Sequence, residues 1–374
     1  MNKRRIITGI AIALIFAVLL SSCGAEKKYP DAKTVGIAMP TKSIERFERD
    51  GEFLKKQFED AGYNVELRYS NDDSYQQNND IECLIADKVD ILIICAVDGV
   101  TLSQTLKTAA EFNIPVIAYD RLIMNSDAVR CYVSFDNYAV GQLQGQFVID
   151  ALDPENSGRS FNIEFSAGDP ADNNALYFFG GAYDTLLPYI ESGAFKIPSG
   201  RLSFEQCATE GWSVEIANKN MQNVLASYYA GSEALDAVIC SSDNTALGVS
   251  YAIKSDYSKN NNVVITGQDG NAVNLANISD GKQTMTVFKN VNNEALAALY
   301  VTKAILSGES VDESLVPVFP FDVSFDNTSY NNGCKYVDSF LLKPVVITAE
   351  NLDDLVETGL YKWDDAHRYV VPAD

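Results

Sequence analysis

The sequence predicts an α/β fold built from two doubly wound parallel sheets. Short apolar runs rich in β-branched residues alternate with segments of helical periodicity, and the connections between them are short. Continuous apolar runs such as residues 91–97 are typical of strands that are buried on both faces. The 374 residues exceed what one core usually supports, and the alternation restarts near residue 140. We therefore expect two similar domains, since right-handed crossovers turn this pattern into doubly wound sheets.

The first alternation is organised around the stretch PVIAYDRLI at residues 115–123. Its apolar start predicts a buried strand that stops at Asp120 and Arg121. A carboxylate and a guanidinium at the carboxyl end of a parallel strand lie where open α/β sheets bind ligands, although a solvated ion pair of the loop is the alternative interpretation. The other elements are strands at residues 35–39, 65–69, 91–97 and 131–135, and helices at residues 44–61, 75–88, 102–112 and 137–152.

The second alternation repeats the pattern. A strand at residues 161–166 leads into the polar loop 168–174 and a helix at 175–189, and a long helix after Trp212 ends at Tyr229. The remaining predicted strands are residues 202–206, 237–240, 263–266 and 284–288.

The predicted strand ends carry charged, amide and aromatic side chains that suit a sugar. Each sugar hydroxyl both donates and accepts, so carboxylates can accept its proton while Arg, Lys and Asn donate to its oxygen. Aromatic rings cover the C–H faces of a pyranose. Helix capping would also explain Asp243 and Asp269, and core packing would explain Trp212, but the recurrence at successive strand ends favours one joint site. The candidate residues are Arg46, Phe47, Asp120, Arg121, Asp172, Asn173, Trp212, Asp243, Asp269 and Lys289.

The composition excludes several function classes. With 29 basic and 51 acidic residues the net charge is −22, which repels nucleic acids and anionic lipid headgroups. The single histidine, His367, leaves little material for a catalytic triad or a histidine-rich metal site. No Walker loop or Gly-x-Gly-x-x-Gly fingerprint is present. We therefore expect no nucleic acid partner, no metal, no cofactor and no hydrolytic chemistry that depends on a catalytic histidine.

The first residues resemble a bacterial lipoprotein signal. Basic residues at 3–5 precede an apolar core at 6–20 that is short for a membrane span, and Leu-Ser-Ser-Cys ends at Cys23. The resemblance implies a signal peptide at residues 1–22, lipid attached to Cys23, and a tether at residues 23–33 that anchors the protein outside the cytoplasm. An uncleaved anchor and a plain secretory signal are the alternatives.

Six further cysteines show neither close pairs nor metal-ligand spacing. Cys95 and Cys240 lie in apolar strand ends, which predicts buried free thiols. An exported protein can also form disulfides, and the spacing assigns none.

From residue 35 almost to the end, the chain resembles the xylose-binding protein and the related multiple-monosaccharide-binding proteins of bacterial ABC importers. The matching segments, in chain order, are MPTKSIERF, AYDRLI, SFDNYAVGQLQ, DPADNNA, EGW, SSDNTALG, TGQDG, TMTVFKN and SFLLKPVVIT. The resemblance implies the type I periplasmic-binding-protein fold, in which two lobes joined by three crossing segments close on a monosaccharide. It places residues 34–140 and 290–341 in the N-terminal lobe, and residues 141–289 and 342–374 in the C-terminal lobe.

The resemblance also matches each candidate residue to a position in a family motif. For example, Arg46 is the arginine of ERF and Lys289 is the lysine of FK. Two positions depart from the family pattern. Phe47 stands where the family usually has Trp, and Glu210 stands where it often has Asp. The smaller ring of Phe47 leaves room in the site and puts the preference between pentose and hexose in doubt.

The resemblance implies a monomeric receptor that binds xylose, glucose, galactose or arabinose and delivers it to a membrane permease. The alternative role is a sensing subunit for a chemoreceptor or a membrane histidine kinase. An enzyme such as a glycosidase is a further alternative. It would need two carboxylates roughly 5–9.5 Å apart at the anomeric carbon. A sugar-responsive repressor would need DNA-binding helices, which this chain lacks, and would not need an export signal.

Overall fold

The computed structural model describes residues 29–259 and 261–373. Strands β1 to β15 are Thr34–Met39, Asn64–Tyr69, Ile91–Ile94, Val116–Tyr119, Val129–Phe135, Phe161–Ser166, Phe195–Lys196, Ala237–Cys240, Val264–Ile265, Met285–Phe288, Val323–Asp326, Ser339–Leu342, Val345–Thr348, Tyr361–Trp363 and Val370–Pro372. Helices α1 to α11 are Glu45–Asp60, Ser74–Ala86, Ser103–Glu111, Asn137–Leu152, Asn174–Glu191, Phe204–Cys207, Val214–Tyr228, Asp243–Asp256, Ala272–Ser279, Val291–Ser307 and Asp353–Glu357.

The first sheet has the strand order β11-β12-β5-β4-β3-β1-β2. All of its neighbouring strands pair in parallel except β11 and β12. Strands β3 and β4 lie inside the sheet and every one of their residues is buried, as expected for strands covered on both faces. Helices α1 and α10 pack together on one side of the sheet, and α2 and α3 pack together on the other.

The second sheet has the parallel order β7-β6-β8-β9, and β10 pairs antiparallel with β13. A single bridge between Gln268 and Val287 links the end of β9 to β10. Helices α4 and α5 pack together against β6, while α7 and α8 pack against the other face of β8. The prediction of an α/β fold with two parallel sheets is confirmed.

Within the described residues, the chain passes from one sheet to the other after β5, after β10 and after β12. Helix α4 follows β5 directly and packs on α5, so the first crossing is complete by Asn137. We propose the lobe bounds 34–140 with 290–341 and 141–289 with 342–374, which leave the first turn of this helix in the N-terminal lobe and the rest of it in the C-terminal lobe.

The prediction of a strand at residues 202–206 is wrong. Residues Phe204–Cys207 form a short helix whose N-cap, Ser203, makes a reciprocal capping box with Gln206. This local pairing satisfies the first backbone amides of the helix and overrides the apolar pattern. The edge of the sheet is instead formed by Phe195–Lys196.

The six cysteines after residue 28 are free thiols. Cys95 and Cys240 are fully buried, as predicted, and only Cys83 and Cys334 are exposed among the six. The predicted signal peptide and Cys23 lie outside the described residues. In residues 29–259 and 261–373, every helix is too short or too polar to cross a bilayer.

Two glycines allow α4 and α5 to approach each other closely. A Cβ atom added at Gly181 would lie 2.1 Å from the Tyr138 carbonyl oxygen, and one added at Gly141 would lie 2.1 Å from the Phe178 carbonyl oxygen. Gly180, the neighbour of Gly181 on the same helix, has no atom nearer than 4.0 Å to such a Cβ. The contact between the two helices therefore depends on the absence of a side chain at Gly181 but not at Gly180.

We predict that Gly181→Ala lowers the free energy of unfolding by about 1–3 kcal/mol, because the helices must move apart to admit the methyl group. The matched control Gly180→Ala should be neutral, or stabilising by up to about 1 kcal/mol, because alanine favours the helix. Urea unfolding of both variants measures the difference. Equal stability of the two variants would contradict the proposed close packing.

Candidate functional site

A cavity lies between the two lobes at the carboxyl ends of the strands. Seven of the predicted residues line it: Arg46, Phe47, Asp120, Asp172, Trp212, Asp269 and Lys289. Six further lining residues were not predicted from the sequence: Ile44, Asn174, Phe178, Ser242, Asn244 and Gln268. Arg121, Asn173 and Asp243 do not line it.

Asp120 is held at the end of β4 by its own backbone. Its φ of 56° lies in the left-handed region, which turns the chain sharply as it leaves the sheet. Its carbonyl oxygen accepts hydrogen bonds from Tyr132 Oη at 2.6 Å, Ser134 Oγ at 2.9 Å and Asn174 Nδ2 at 2.5 Å. Because these donors fix the main chain, the Asp120 carboxylate has a defined direction into the cavity. Asn174 belongs to α5, so this cluster also joins the two lobes.

The guanidinium of Arg46 lies at the centre of a buried charge cluster. Its Nη2 atom donates to Asp120 Oδ1 at 2.5 Å and to Glu294 Oε2 at 3.0 Å. Nη1 donates to Asp269 Oδ1 at 3.3 Å, and Nε lies 3.3 Å from Asp50 Oδ2. Four carboxylates from both lobes therefore surround one cation whose side chain is 4% exposed.

The cluster shifts the pKa values of its members. Burial acts to lower the pKa of Arg46, but attraction to Asp120 and the other carboxylates raises it overall, so the guanidinium stays charged. Burial raises the pKa of Asp50 to about 6, with repulsion from Asp120 adding to the rise and attraction to Arg46 opposing it. Burial likewise raises the pKa of Glu294, with a further contribution from Asp120. Asp50 and Glu294 therefore contact Arg46 from outside the cavity lining. Both take up a proton at a higher pH than an exposed carboxylate does.

Asp269 and Lys289 form the second charged pair of the site. Lys289 Nζ lies 2.9 Å from Asp269 Oδ1. Burial tends to raise the pKa of Asp269, but Lys289 and Arg46 lower it overall, so this carboxylate is ionised at neutral pH. An ionised carboxylate between two cations is a strong acceptor for a ligand hydroxyl.

Arg121 lies behind the cavity wall instead of in it. Its Nε atom lies 3.0 Å from Asp172 Oδ2, and Nη1 donates to the carbonyl oxygens of Ala96 and Val97 at 2.9 and 3.0 Å. The guanidinium carbon also lies 4.8 Å from the centroid of the Phe47 ring. Arg121 thus orients two lining residues, one from each lobe.

Asp243 and Asn173 also lie outside the lining. Asp243 accepts hydrogen bonds from Asn271 N and from Gln283 Nε2, each at 2.9 Å. Burial, with repulsion from Asp269, raises the pKa of Asp243 to about 7. It stabilises the loops around the site, while the N-cap of α8 is its neighbour Ser242, so Asp243 does not act as the helix cap. The amide that lines the cavity in place of Asn173 is its neighbour Asn174, in the first turn of α5.

Aromatic side chains from both lobes form the apolar walls. The rings of Phe178 and Trp212 meet edge to face with centroids 6.4 Å apart, and Lys289 Nζ lies 5.3 Å from the Phe178 centroid. Gly168 makes room for the indole, because a Cβ atom there would lie 2.0 Å from the Trp212 ring. Ile44 and Phe47 contribute apolar surface from the first lobe. These walls suit a ligand with C–H faces.

Polar groups with spare hydrogen-bonding capacity remain at the cavity. Gln268 Oε1 is buried and accepts no hydrogen bond from the described residues, and Lys289 has donors beyond the one directed at Asp269. In the described part of the chain, no group of three or more His, Cys, Asp or Glu side chains could hold a metal ion. The cavity can therefore bind a small neutral molecule that has many hydroxyl groups.

Asp50 and Glu294 were missed because they lie on helices α1 and α10, and the sequence prediction considered mainly the residues directly at strand ends. Phe178 was missed because its place within α5 reads as ordinary core spacing. Asn174 was nearly found, since the predicted loop included it, but the sequence does not show which of two adjacent amides faces the cavity.

Known proteins match nearly the whole described chain. A family model described as periplasmic binding protein domain matches residues 35–310. The multiple sugar-binding periplasmic protein SbpA of Azospirillum brasilense is 38% identical over 88% of this chain and 90% of its own length. The D-xylose-binding periplasmic protein of Escherichia coli K12 is 32% identical over 95% of this chain and 98% of its own length.

A solved structure agrees with these sequence matches. The crystal structure of an ABC transporter solute binding protein from Clostridium phytofermentans with bound β-D-glucose is 42% identical, with a TM-score of 0.83. The similarity covers 90% of this chain and 99% of that one. The two-lobed fold, the family match and these relatives together show that the chain belongs to the periplasmic binding protein family.

Proposed function

We propose that this protein captures an aldopyranose of the xylose, glucose, galactose or arabinose class outside the cytoplasm and delivers it to an ABC importer. The family is non-enzymatic, and one relative has been solved with bound β-D-glucose. The observation that carries the proposal is the cavity between the lobes, where charged acceptors and donors alternate around aromatic walls.

The lining residues can form hydrogen bonds with the hydroxyl groups of a sugar and apolar contacts with its C–H faces. The carboxylates of Asp120, Asp172 and Asp269 would accept protons from hydroxyl groups, while Arg46 and Lys289 would donate to hydroxyl oxygens. Hydrogen bonds to charged groups contribute roughly 1.5–3 kcal/mol each, so a few well-placed bonds select one arrangement of hydroxyl groups. The Phe178 and Trp212 rings would cover the C–H faces of the pyranose.

Ligand binding would favour the closed arrangement of the lobes. Arg46 of α1 bonds to Asp269 from the second lobe, and Arg121 pairs with Asp172 across the same cleft. A sugar held by residues from both lobes adds bonds only when the cleft is closed. It would therefore shift the population towards the form that a permease could recognise.

We propose that lipid on Cys23 anchors the protein to the cell membrane. The described chain begins with Tyr29, whose amide donates to Asn64 Oδ1 at 2.8 Å, so the proposed tether leads directly into the first lobe. Anchoring would keep the receptor close to the permease and raise its local concentration there.

We predict that one or a few aldoses stabilise the protein against thermal unfolding. The protein, expressed from Gly24 and refolded to remove carried sugar, would be tested against a panel of monosaccharides. At about 100 times the dissociation constant, binding adds roughly 2.7 kcal/mol and raises the melting temperature by several degrees. Absence of any shift across the panel would refute the proposed ligand class.

Asp269→Ala and Arg121→Ala should each weaken sugar binding by more than tenfold. The first removes a charged acceptor from the lining, and the second removes the cation that orients Asp172. Titration calorimetry measures the affinities, and Asp256→Ala, an exposed carboxylate at the end of α8, serves as the control. Unchanged affinity in both site variants would contradict the assignment of the site.

The raised pKa of Asp50 predicts a stability that depends on pH. Between the unfolded value near 3.8 and the folded value of about 6, the folded protein binds more protons at Asp50 than the unfolded chain does. The contribution of Asp50 to the free energy of unfolding is therefore fully present below pH 3.8 and is lost as the pH rises through 6.

We expect Asp50→Asn to remove this slope, so that the variant gains stability relative to the parent as the pH rises from 4 to 6. The change is at most about 1.4 kcal/mol per pH unit. Urea unfolding at several pH values measures the difference between the two proteins. A constant difference across this range would show that Asp50 is not protonated in the folded state.

A further inference from the structure

Tyr361 connects the two lobes just outside the cavity. It belongs to the C-terminal hairpin of β14 and β15, which packs on α9 and α11 in the second lobe. Its hydroxyl group accepts a hydrogen bond from Arg49 Nη1 at 2.5 Å and donates one to the Gly270 carbonyl oxygen at 2.9 Å. Arg49 lies on α1 of the first lobe, so one oxygen atom bonds to both sides of the cleft.

The same contacts hold the turn that carries Asp269. Arg49 Nη2 donates to the Asp269 carbonyl oxygen at 3.3 Å, while Arg46, one turn earlier on α1, bonds to the Asp269 carboxylate. Asp269 has a φ of 104°, which residues other than glycine rarely adopt without support from their surroundings. Arg49 and Tyr361 therefore hold the main chain of a turn whose side chain lines the cavity.

Tyr361 is buried, and its neighbours hold its ring in a fixed position. The residue is 3% exposed, and its ring meets Phe288 edge to face with centroids 5.8 Å apart. The guanidinium carbon of Arg49 lies 5.7 Å from the ring centroid. The ring is thus fixed by packing within the second lobe and also faces Arg49, and the hydroxyl group adds the hydrogen bond to the first lobe.

We propose that Tyr361 is a positioning residue of the ligand site: its hydroxyl group fastens the closed cleft and holds Asp269 in its binding position without touching the ligand. The residue lies beyond the segment 35–310 that the family model matches. The inference rests on the proposed function, since the effect on a ligand requires that the cavity binds a sugar.

The test compares Tyr361→Phe with Tyr369→Phe. Tyr369 lies just before β15 near the same surface, and its hydroxyl group bonds to Asp280 of the second lobe at 3.1 Å. Both changes remove one hydroxyl group, but only the first removes a bond to Arg49. The ligand is the monosaccharide that gives the largest thermal shift, and stopped-flow fluorescence gives its association and dissociation rates.

We expect Tyr361→Phe to weaken sugar binding about tenfold through faster dissociation, because the bond holds the cleft closed over the sugar. Tyr369→Phe should keep the parent rates. Unchanged dissociation from Tyr361→Phe would overturn the inference. Equal loss in both variants would also overturn it, because the hairpin would then act only through its stability.

A measurement without sugar separates the inference from the proposed function. Small-angle X-ray scattering of the sugar-free proteins should give a larger radius of gyration for Tyr361→Phe than for the parent and for Tyr369→Phe. If no monosaccharide binds the parent protein, the proposed function fails, while this difference in radius still decides whether Tyr361 fastens the cleft. Equal radii in that case would overturn the inference.

Discussion

The whole site depends on the burial of Arg46. A guanidinium removed from water is costly unless charged partners replace its hydration, and here four carboxylates do so. Two of them, Asp50 and Glu294, lie behind it, and Asp120 and Asp269 approach from the two lobes. Because the partners come from α1, β4, α10 and the turn after β9, the cation can be satisfied only when these elements are in place. The position of one side chain therefore links the packing of the first lobe to the arrangement of the cleft.

The charge cluster also supplies much of the polar surface of the cavity. Arg46, Asp269 and Lys289 form a continuous set of ion pairs, and all three line the cavity. Arg121 and Asp243 support the lining from outside. Side chains that are held in this way lose little conformational entropy when a ligand binds, which favours selective recognition of hydroxyl groups.

Much of the fold followed from the sequence because parallel strands buried on both faces give continuous apolar runs. The strand ends also identified most of the lining, since open α/β sheets bring these ends to one edge. The prediction failed where local hydrogen bonds or tertiary packing determine the structure. Ser203 and Gln206 form a capping box in an apolar stretch, and the positions of Asp50 and Glu294 on helices become meaningful only once α1 and α10 pack together. Which of Asn173 and Asn174 faces the cavity depends on the rotation of α5, which no sequence pattern specifies.

The strand order of the first sheet has a consequence for synthesis and export. Strand β12, near residue 340, pairs with β5, near residue 132, and α10 covers the sheet beside α1. The first lobe therefore cannot be completed until almost the entire chain has been made, although its first five strands are synthesised early. Pairing between segments so far apart in sequence is slow to form. In a nascent chain with this topology, the edge of β5 that pairs with β12 therefore stays open until the C-terminal part of the chain has been made.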